Sequence, residues 1–182
     1  MRKEYNEHGV VGFYEKFGKT YRNKHFPEIK RVIRTIASAL PEDLPRGRIR
    51  LLDLACGSGE AALAFVDAGL TSLDLVDGCD PYTFEAFKEM VGKTAHPWSF
   101  EDIADGKLDD RKYDLCICSF ALHLVDSSKL LGVCYQLATA CKYLLVLTPH
   151  KKPDIRPAMG WDLKFEIVCE RIHARLYHSN VQ

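Results

Sequence analysis

Several features that would assign this sequence to a membrane or secreted class are missing from it. Its 182 residues contain no apolar run near the roughly 18–20 residues that a membrane-spanning helix needs. The first residues, MRKEYNEHGVV, are charged and lack the apolar stretch of a signal peptide. We therefore expect no membrane partner and a cytoplasmic location.

Cysteine pairs of the kind that bind metal are also lacking. Seven cysteines are scattered along the sequence, none of them in a Cys-x-x-Cys pair, and their number is odd. Several lie inside apolar runs, where a free thiol packs as a small hydrophobic group. We expect neither a metal site nor a disulfide framework, and we expect the protein to be reduced and intracellular.

Two common phosphate-binding motifs are incomplete. After Gly57 and Gly59, the third glycine of the dinucleotide motif Gly-x-Gly-x-x-Gly is replaced by Ala62. No Gly-Lys-Ser/Thr follows the turn, so the Walker motif of nucleotide triphosphatases is absent. A nicotinamide-dependent oxidoreductase is therefore a disfavoured alternative, because the third glycine is missing and an aspartate, Asp53, precedes the turn.

Net charge is zero overall but is unevenly distributed. Residues 1–50 hold 12 Lys and Arg against 6 Asp and Glu, whereas residues 51–141 hold 6 against 15. The basic N-terminal segment keeps RNA among the candidate partners. A solvated face of an amphipathic helix is the more ordinary explanation of the same charges.

Strand and helix patterns alternate through most of the sequence, which predicts a doubly wound, mostly parallel α/β sheet. Predicted helices cover 9–19, 28–40, 61–68, 82–91 and 127–140, and predicted strands cover 49–54, 72–79, 98–100, 113–119 and 142–147. A hairpin over 161–177 follows. We expect one domain, 1–182, with an N-terminal helical cover (1–45) and a Rossmann-like core (46–182).

Ligands of such sheets bind at the carboxyl ends of the strands, where this sequence places three acidic residues. Asp53 precedes a tight turn, Ala55-Cys56-Gly57-Ser58-Gly59, and would repel a pyrophosphate but receive an ammonium group. Asp80 ends the second strand and suits the two hydroxyls of a ribose. Asp102, beside Ile103, suits the amine and ring face of an adenine. Together they describe an adenosine with an amino-acid tail.

Four segments in register resemble the motifs of class I S-adenosylmethionine-dependent methyltransferases. They are LLDLACGSGE, GCDPY, EDI and YDLCICSFALHLV, within residues 49–149. The resemblance implies a three-layer α/β/α fold with seven strands, of which the last is antiparallel. It also implies S-adenosylmethionine as the cofactor and methyl transfer as the reaction.

The resemblance extends the predicted site beyond the three carboxylates. Tyr14 and Tyr21 would approach the methionine end of the cofactor from the N-terminal cover. The predicted cofactor-binding residues are Tyr14, Tyr21, Asp53, Ala55, Cys56, Gly57, Ser58, Gly59, Asp80, Pro81, Asp102, Ile103 and Ser119. His123 and His150 follow strand ends and are candidate catalytic bases, or else structural imidazoles.

Two departures from the family pattern leave the methyl acceptor open. No Asn/Asp-Pro-Pro-Tyr/Phe motif follows the fourth strand, where this sequence has Ser119-Phe120-Ala121-Leu122, so amino groups of bases or glutamine become less favoured. Residues 149–160 are too few for the long helix that many relatives place there. The acceptor is a small molecule, a protein or RNA, and the oligomeric state is undetermined. The alternative is a catalytically idle scaffold that binds the cofactor or a partner.

Overall fold

The protein is described by a computed structural model, which covers Gly12, Tyr14 and residues 16–182. Five α-helices lie wholly within this part of the chain: α1 (Phe26–Ile36), α2 (Glu60–Asp67), α3 (Phe84–Val91), α4 (Phe100–Ala104) and α5 (Ser127–Ala140). The strands of the same part are β1 (Leu51–Leu54), β2 (Val76–Cys79), β3 (Tyr113–Ser119), β4 (Cys141–Thr148), β5 (Trp161–Cys169) and β6 (Ile172–Ser179). Of the helix predicted over 9–19, Gly12, Tyr14, Lys16 and Phe17 are described and helical, a 3-10 turn follows at Gly18–Thr20, and the other residues of the prediction lie outside the described ones.

The strands form one sheet in the order β2-β1-β3-β4-β6-β5. The first four are parallel to one another, and β6 runs antiparallel to both β4 and β5. The alternation of strands and helices and the terminal hairpin are as predicted. Because the chain crosses from β2 back past β1 to β3, the carboxyl ends of β1 and β3 border a crevice where a ligand site is expected.

The prediction of seven strands is wrong for the described residues, which contain six. No strand forms over the predicted 98–100; the nearest β-pairing is one isolated bridge between Cys79 and His96. Ser99 instead caps α4, since its Oγ accepts from Asp102 N while the Asp102 carboxylate accepts from Ser99 N. This reciprocal capping starts a helix where a third strand would continue.

Helices cover both faces of the sheet, giving the three layers that were predicted. The apolar stripe of α1 packs with α2 and α3 on one face, around Phe65 and Phe87. Residues Ile29, Val32, Ile33 and Ile36 make up that stripe and are fully buried. On the other face α4 and α5 pack over the strands, around Leu137 and Trp161, and these buried residues form what we call the second core. The division into a cover (1–45) and a core (46–182) stays a prediction.

Residues 149–160, which connect β4 to β5, contain no α-helix. One short 3-10 turn, Pro157–Met159, precedes β5. Ile155 and Met159 pack against the second core, beside Trp161, whose Nε1 donates to Cys134 O at 2.8 Å. An irregular segment therefore covers part of the sheet face next to the hairpin.

Candidate functional site

The loop between β1 and α2 is a sharp turn with three left-handed residues. Ala55, Gly57 and Gly59 have φ values of 53°, 56° and 89°. A Cβ on Gly59 would collide with Val91 Cγ2 of α3, and one on Gly57 would lie 2.9 Å from Tyr21 Cε1. Glycine is required at both positions, for the backbone conformation and for the space beside it.

Asp53, predicted to meet a ligand ammonium, does not line the cavity beside this turn. Its side chain is 1% exposed, and its Oδ2 accepts from Ala62 N at 3.1 Å, in the first turn of α2. Burial raises the pKa of this carboxyl well above its ordinary value, and the charges of Glu60 and Asp80 add to the shift. Its contacts are those of a group that holds α2 against β1.

Glu60 is an acidic residue of the cavity that the motif analysis overlooked. It is 4% exposed and lines the cavity next to Gly57. Its Oε1 accepts from Asn23 N at 2.6 Å and from Ser58 Oγ at 2.5 Å. The only sequence signal was its position directly after the glycine turn. Glu60 therefore brings a carboxylate to the place expected of Asp53.

Asp80, at the end of β2, connects the second strand to the glycine turn. Its Oδ1 accepts from Tyr82 N at 2.8 Å and from Thr83 N at 3.0 Å, and its Oδ2 lies 3.4 Å from Gly57 N, which donates to it. Only 8% of the residue is exposed, and this desolvation raises the pKa of its carboxyl. The carboxylate lines the cavity together with Pro81.

Three tyrosines form one wall of the cavity. The rings of Tyr14 and Tyr21 lie 5.4 Å apart, and those of Tyr14 and Tyr82 are stacked at 6.2 Å. The segment that carries Tyr21 packs closely on the loop after β2. The approach is so close that a Cβ on Gly18 would collide with the carbonyl oxygen of Tyr82. The two tyrosines predicted from the N-terminal segment thus reach the cavity.

The far end of the cavity differs from the prediction for Asp102 and Ile103. Asp102 accepts from Ser99 N and Ser99 Oγ at 2.9 and 2.8 Å and is absent from the lining, while Ile103 is fully buried in the second core. This end is lined by Trp98, Ser99, Phe100, Glu101, Leu124, Val125, Asp126 and Lys129. Glu101 pairs with Lys129 at 2.6 Å.

The cavity has a volume of about 300 Å³, within the range of small-ligand sites. It brings together most of the residues that were predicted to bind a cofactor. The predicted residues that line it are Tyr14, Tyr21, Ala55, Cys56, Gly57, Asp80, Pro81 and Ser119. The predicted residues outside the lining are Asp53, Ser58, Gly59, Asp102 and Ile103.

His123 and His150 lie next to each other, outside the lining of this cavity. Their rings meet edge to face, with centroids 5.1 Å apart. His123 Nδ1 is buried without a hydrogen-bond partner. Burial, and to a lesser extent the neighbouring charge of His150, lowers the pKa of His123. Phe120, which does line the cavity, stacks on His25 at 5.3 Å.

Neither a metal-binding cluster nor a membrane-spanning helix occurs among the described residues. No group of three or more His, Cys, Asp or Glu side chains in this part of the chain is placed to hold a metal ion. Among the same residues, every helix is too short or too polar to cross a membrane.

Comparison with known sequences gives one close relative. An uncharacterized protein of Schizosaccharomyces pombe is 35% identical over an alignment of 228 positions, which covers 98% of this chain and 92% of the relative. No model of a known protein family matches the chain.

Comparison with solved structures gives many similar folds. A magnesium protoporphyrin IX methyltransferase of Synechocystis PCC 6803, solved with S-adenosylmethionine, has a TM-score of 0.58 and 19% identity, covering 97% of this chain and 92% of that one. The mitomycin 7-O-methyltransferase MmcR has a TM-score of 0.64 and 15% identity, covering 94% and 57%. The N-methyltransferase NodS of Bradyrhizobium japonicum, solved with S-adenosylhomocysteine, has a TM-score of 0.59 and 10% identity, covering 86% of each. At these identities the likeness concerns the fold.

Proposed function

Since this chain belongs to the same family as the Schizosaccharomyces pombe protein and has the class I methyltransferase fold, we propose that it is an S-adenosylmethionine-dependent methyltransferase. The observation that carries the proposal is the cavity at the carboxyl ends of β1 and β3, in which Glu60 and Asp80 flank a glycine turn. Structures of this fold were solved with the cofactor or its demethylated product, which supports the same ligand here.

The charge of the cavity fits this cofactor better than it fits a phosphate-bearing nucleotide. S-Adenosylmethionine carries a sulfonium and an ammonium group, and four carboxylate residues of the described part of the chain line the cavity: Glu60, Asp80, Glu101 and Asp126. Lys129 is the single lysine among the described lining residues, and it is paired with Glu101. A pyrophosphate would meet carboxylates at the glycine turn, where a cationic ligand is stabilised instead.

We assign the three parts of the cofactor to three parts of the lining. The amino-acid end would lie against the turn at Gly57, with its ammonium toward Glu60. The ribose hydroxyls would donate to Asp80, which ends the second strand. The adenine would lie between Phe100 and Val125, at the end from which Asp102 is absent. Tyr14 and Tyr21 would close the methionine end.

When bound, S-adenosylmethionine supplies a methyl group on a sulfonium, already reactive toward a nucleophile. The work of the chain is then to hold donor and acceptor in line and to exclude water. Ser119 ends β3 and Phe120 follows it; both line the cavity and precede His123 in the chain by four and three positions. We therefore place the acceptor on the side of these two residues, which we call the acceptor side.

His123 and His150 are the candidates to take a proton from the acceptor. Burial lowers the pKa of His123, which favours the neutral imidazole at pH 7 that a base requires. Neither ring touches the cavity, so the acceptor would have to extend beyond Phe120 to reach them. The acceptor itself stays unassigned among small molecules, proteins and RNA, and the cytoplasmic location stays a prediction.

Calorimetry with the full chain tests cofactor binding. We expect S-adenosylmethionine and S-adenosylhomocysteine to bind with micromolar dissociation constants. Replacing Asp80 by Asn removes a charged acceptor of the ribose and should weaken binding about 10- to 100-fold. Asp110→Asn, which changes an exposed carboxylate outside the lining, is the matched control. Absence of binding to folded wild-type protein would refute the proposal.

Transfer of a labelled methyl group separates an enzyme from an idle scaffold. The protein is incubated with methyl-labelled cofactor and cell extract, and the product is treated with nuclease, treated with protease or passed through a size filter. Label that is lost to one treatment identifies the acceptor class. Cofactor binding without any labelled product would favour the catalytically idle scaffold. The short segment 149–160, which has no room for a long helix, is the reason to consider that alternative.

A further inference from the structure

The segment after β4 is irregular, yet four backbone groups on three of its residues, His150, Lys152 and Pro153, are held by side chains. Thr148, fully buried at the end of β4, accepts from His150 N at 3.1 Å through its Oγ1, and the same hydroxyl donates to Lys152 O at 3.3 Å. The carbonyl oxygens of His150 and Pro153 each accept a further hydrogen bond, from Arg175. A loop with this many fixed groups is not free to move as a unit.

Arg175 comes from β6, far along the chain. Its Nη2 donates to His150 O and its Nη1 to Pro153 O, both at 2.8 Å. The residue is 6% exposed, so its guanidinium is a buried charge that requires fixed polar partners. The planar fork of arginine reaches both carbonyls at once, which a lysine ammonium at the same position would not do.

An acidic residue of the neighbouring strand pairs with the guanidinium. Glu166 of β5 pairs with Arg175 across the hairpin, with its Oε1 3.4 Å from Arg175 Nε. The same oxygen lies 2.7 Å from His173 Nδ1. Arg175 therefore contacts the neighbouring strand through an ion pair, in which its Nε makes no hydrogen bond, and contacts the loop through two hydrogen bonds.

The loop that Arg175 contacts carries His150, one member of the histidine pair. His150 lies against His123, whose ring Nδ1 is buried and unpartnered. We propose that Arg175 is a positioning residue, which fixes the backbone of residues 150–153 so that the imidazole of His150 is held against that of His123. The inference rests on the proposed function only in naming this the acceptor side; the positioning itself is a property of the folded chain.

Nuclear magnetic resonance on the full chain tests the proposal. In wild type we expect slow exchange of the His150 amide and cross-relaxation between the ring protons of His123 and His150. Replacing Arg175 by Met removes two charged hydrogen bonds, so that amide should exchange about 10- to 100-fold faster and the ring cross-peaks should disappear. Arg175→Lys should give a smaller change in the same direction, and it replaces the Met variant if that variant does not fold.

The control is Arg171→Met, which removes an exposed arginine from the same hairpin and should change neither signal. Persistent ring cross-peaks in both Arg175 variants would overturn the proposal, even if the variants were less stable, because a merely structural role predicts that result. Calorimetry with S-adenosylmethionine is run on the same samples, and binding should be unchanged because Arg175 does not line the cavity. Loss of the proposed function would appear as absent binding in wild type, independently of the histidine signals.

Discussion

Two loops leave the same edge of the sheet and are held in place in different ways. The loop after β1 is fixed mainly through its own backbone: Gly59 N donates to Cys56 O at 2.8 Å, Cys56 N and Gly57 N donate to Cys79 O and Asp80 at the end of β2, and the backbone takes left-handed conformations at its glycines. The loop after β4 is fixed by Arg175, which lies 25 positions beyond His150. A local turn is rigid by backbone geometry, whereas the second loop depends on a side chain supplied by the hairpin.

The largest effect should come from breaking the first loop. Gly59→Ala forces a side chain into a left-handed conformation and against Val91, which together cost about 2–5 kcal/mol of unfolding free energy. Gly69 also has positive φ, but a Cβ there would meet nothing within 4 Å, so Gly69→Ala should cost only about 1–2 kcal/mol. Denaturant unfolding measures both.

Comparing the stability costs of Gly59→Ala and Gly69→Ala separates the effect of backbone conformation from the effect of packing. Equal costs would mean that the backbone conformation alone matters and that close packing of the turn on α3 does not. A larger cost at Gly59 would show that the turn is also a packing junction between α2 and α3.

A smaller effect is expected from the second loop. Thr148→Val removes the hydroxyl that contacts His150 N and Lys152 O, which should cost about 1–2 kcal/mol and speed exchange of the His150 amide. Thr148→Ser keeps the hydroxyl and is the matched control for amide exchange. If Val and Ser exchanged equally slowly, Arg175 alone would hold this loop.

The smallest effects are those of pH, and their signs differ between His123, which contacts the loop after β4, and Asp80, which contacts the loop after β1. The folded pKa of His123 is lowered, so the unfolded chain binds more protons and stability is lost as pH falls from about 6.5 toward that folded pKa. The folded pKa of Asp80 is raised, so stability is lost as pH rises from about 3.9 to that folded value. Denaturant unfolding of His123→Gln and of Asp80→Asn is measured across pH 4–8. Each variant should lose only its own contribution to the pH dependence of the unfolding free energy.

The difference between the loops also explains what the sequence could predict. The glycine turn and Asp80 are adjacent motifs at strand ends, and their positions were predicted because local backbone chemistry decides them. Asp102 was assigned to the ligand although its carboxylate caps α4, since a capping box and a strand-end acid look alike in sequence. The same capping replaced the predicted strand over 98–100.

Contacts between distant segments could not be predicted in this way. Arg175 is one basic residue within an apolar strand, and no local pattern indicates that it reaches His150 and Pro153. Glu60 follows the turn directly, but its contact with Asn23, 37 positions earlier, depends on how the N-terminal segment packs. The pairing of His123 with His150 depends equally on the register of β3 and β4.

One carboxylate oxygen gives the cavity a thermodynamic link to the segment before α1. Glu60 Oε1 accepts both Ser58 Oγ, from the glycine turn, and the backbone N–H of Asn23. A ligand that binds the carboxylate of Glu60 therefore changes the free energy of the contact between Glu60 and the segment around Asn23. Because such coupling is reciprocal, a partner that binds this segment changes the affinity of the cavity for its ligand by the same factor by which the ligand changes the affinity for the partner.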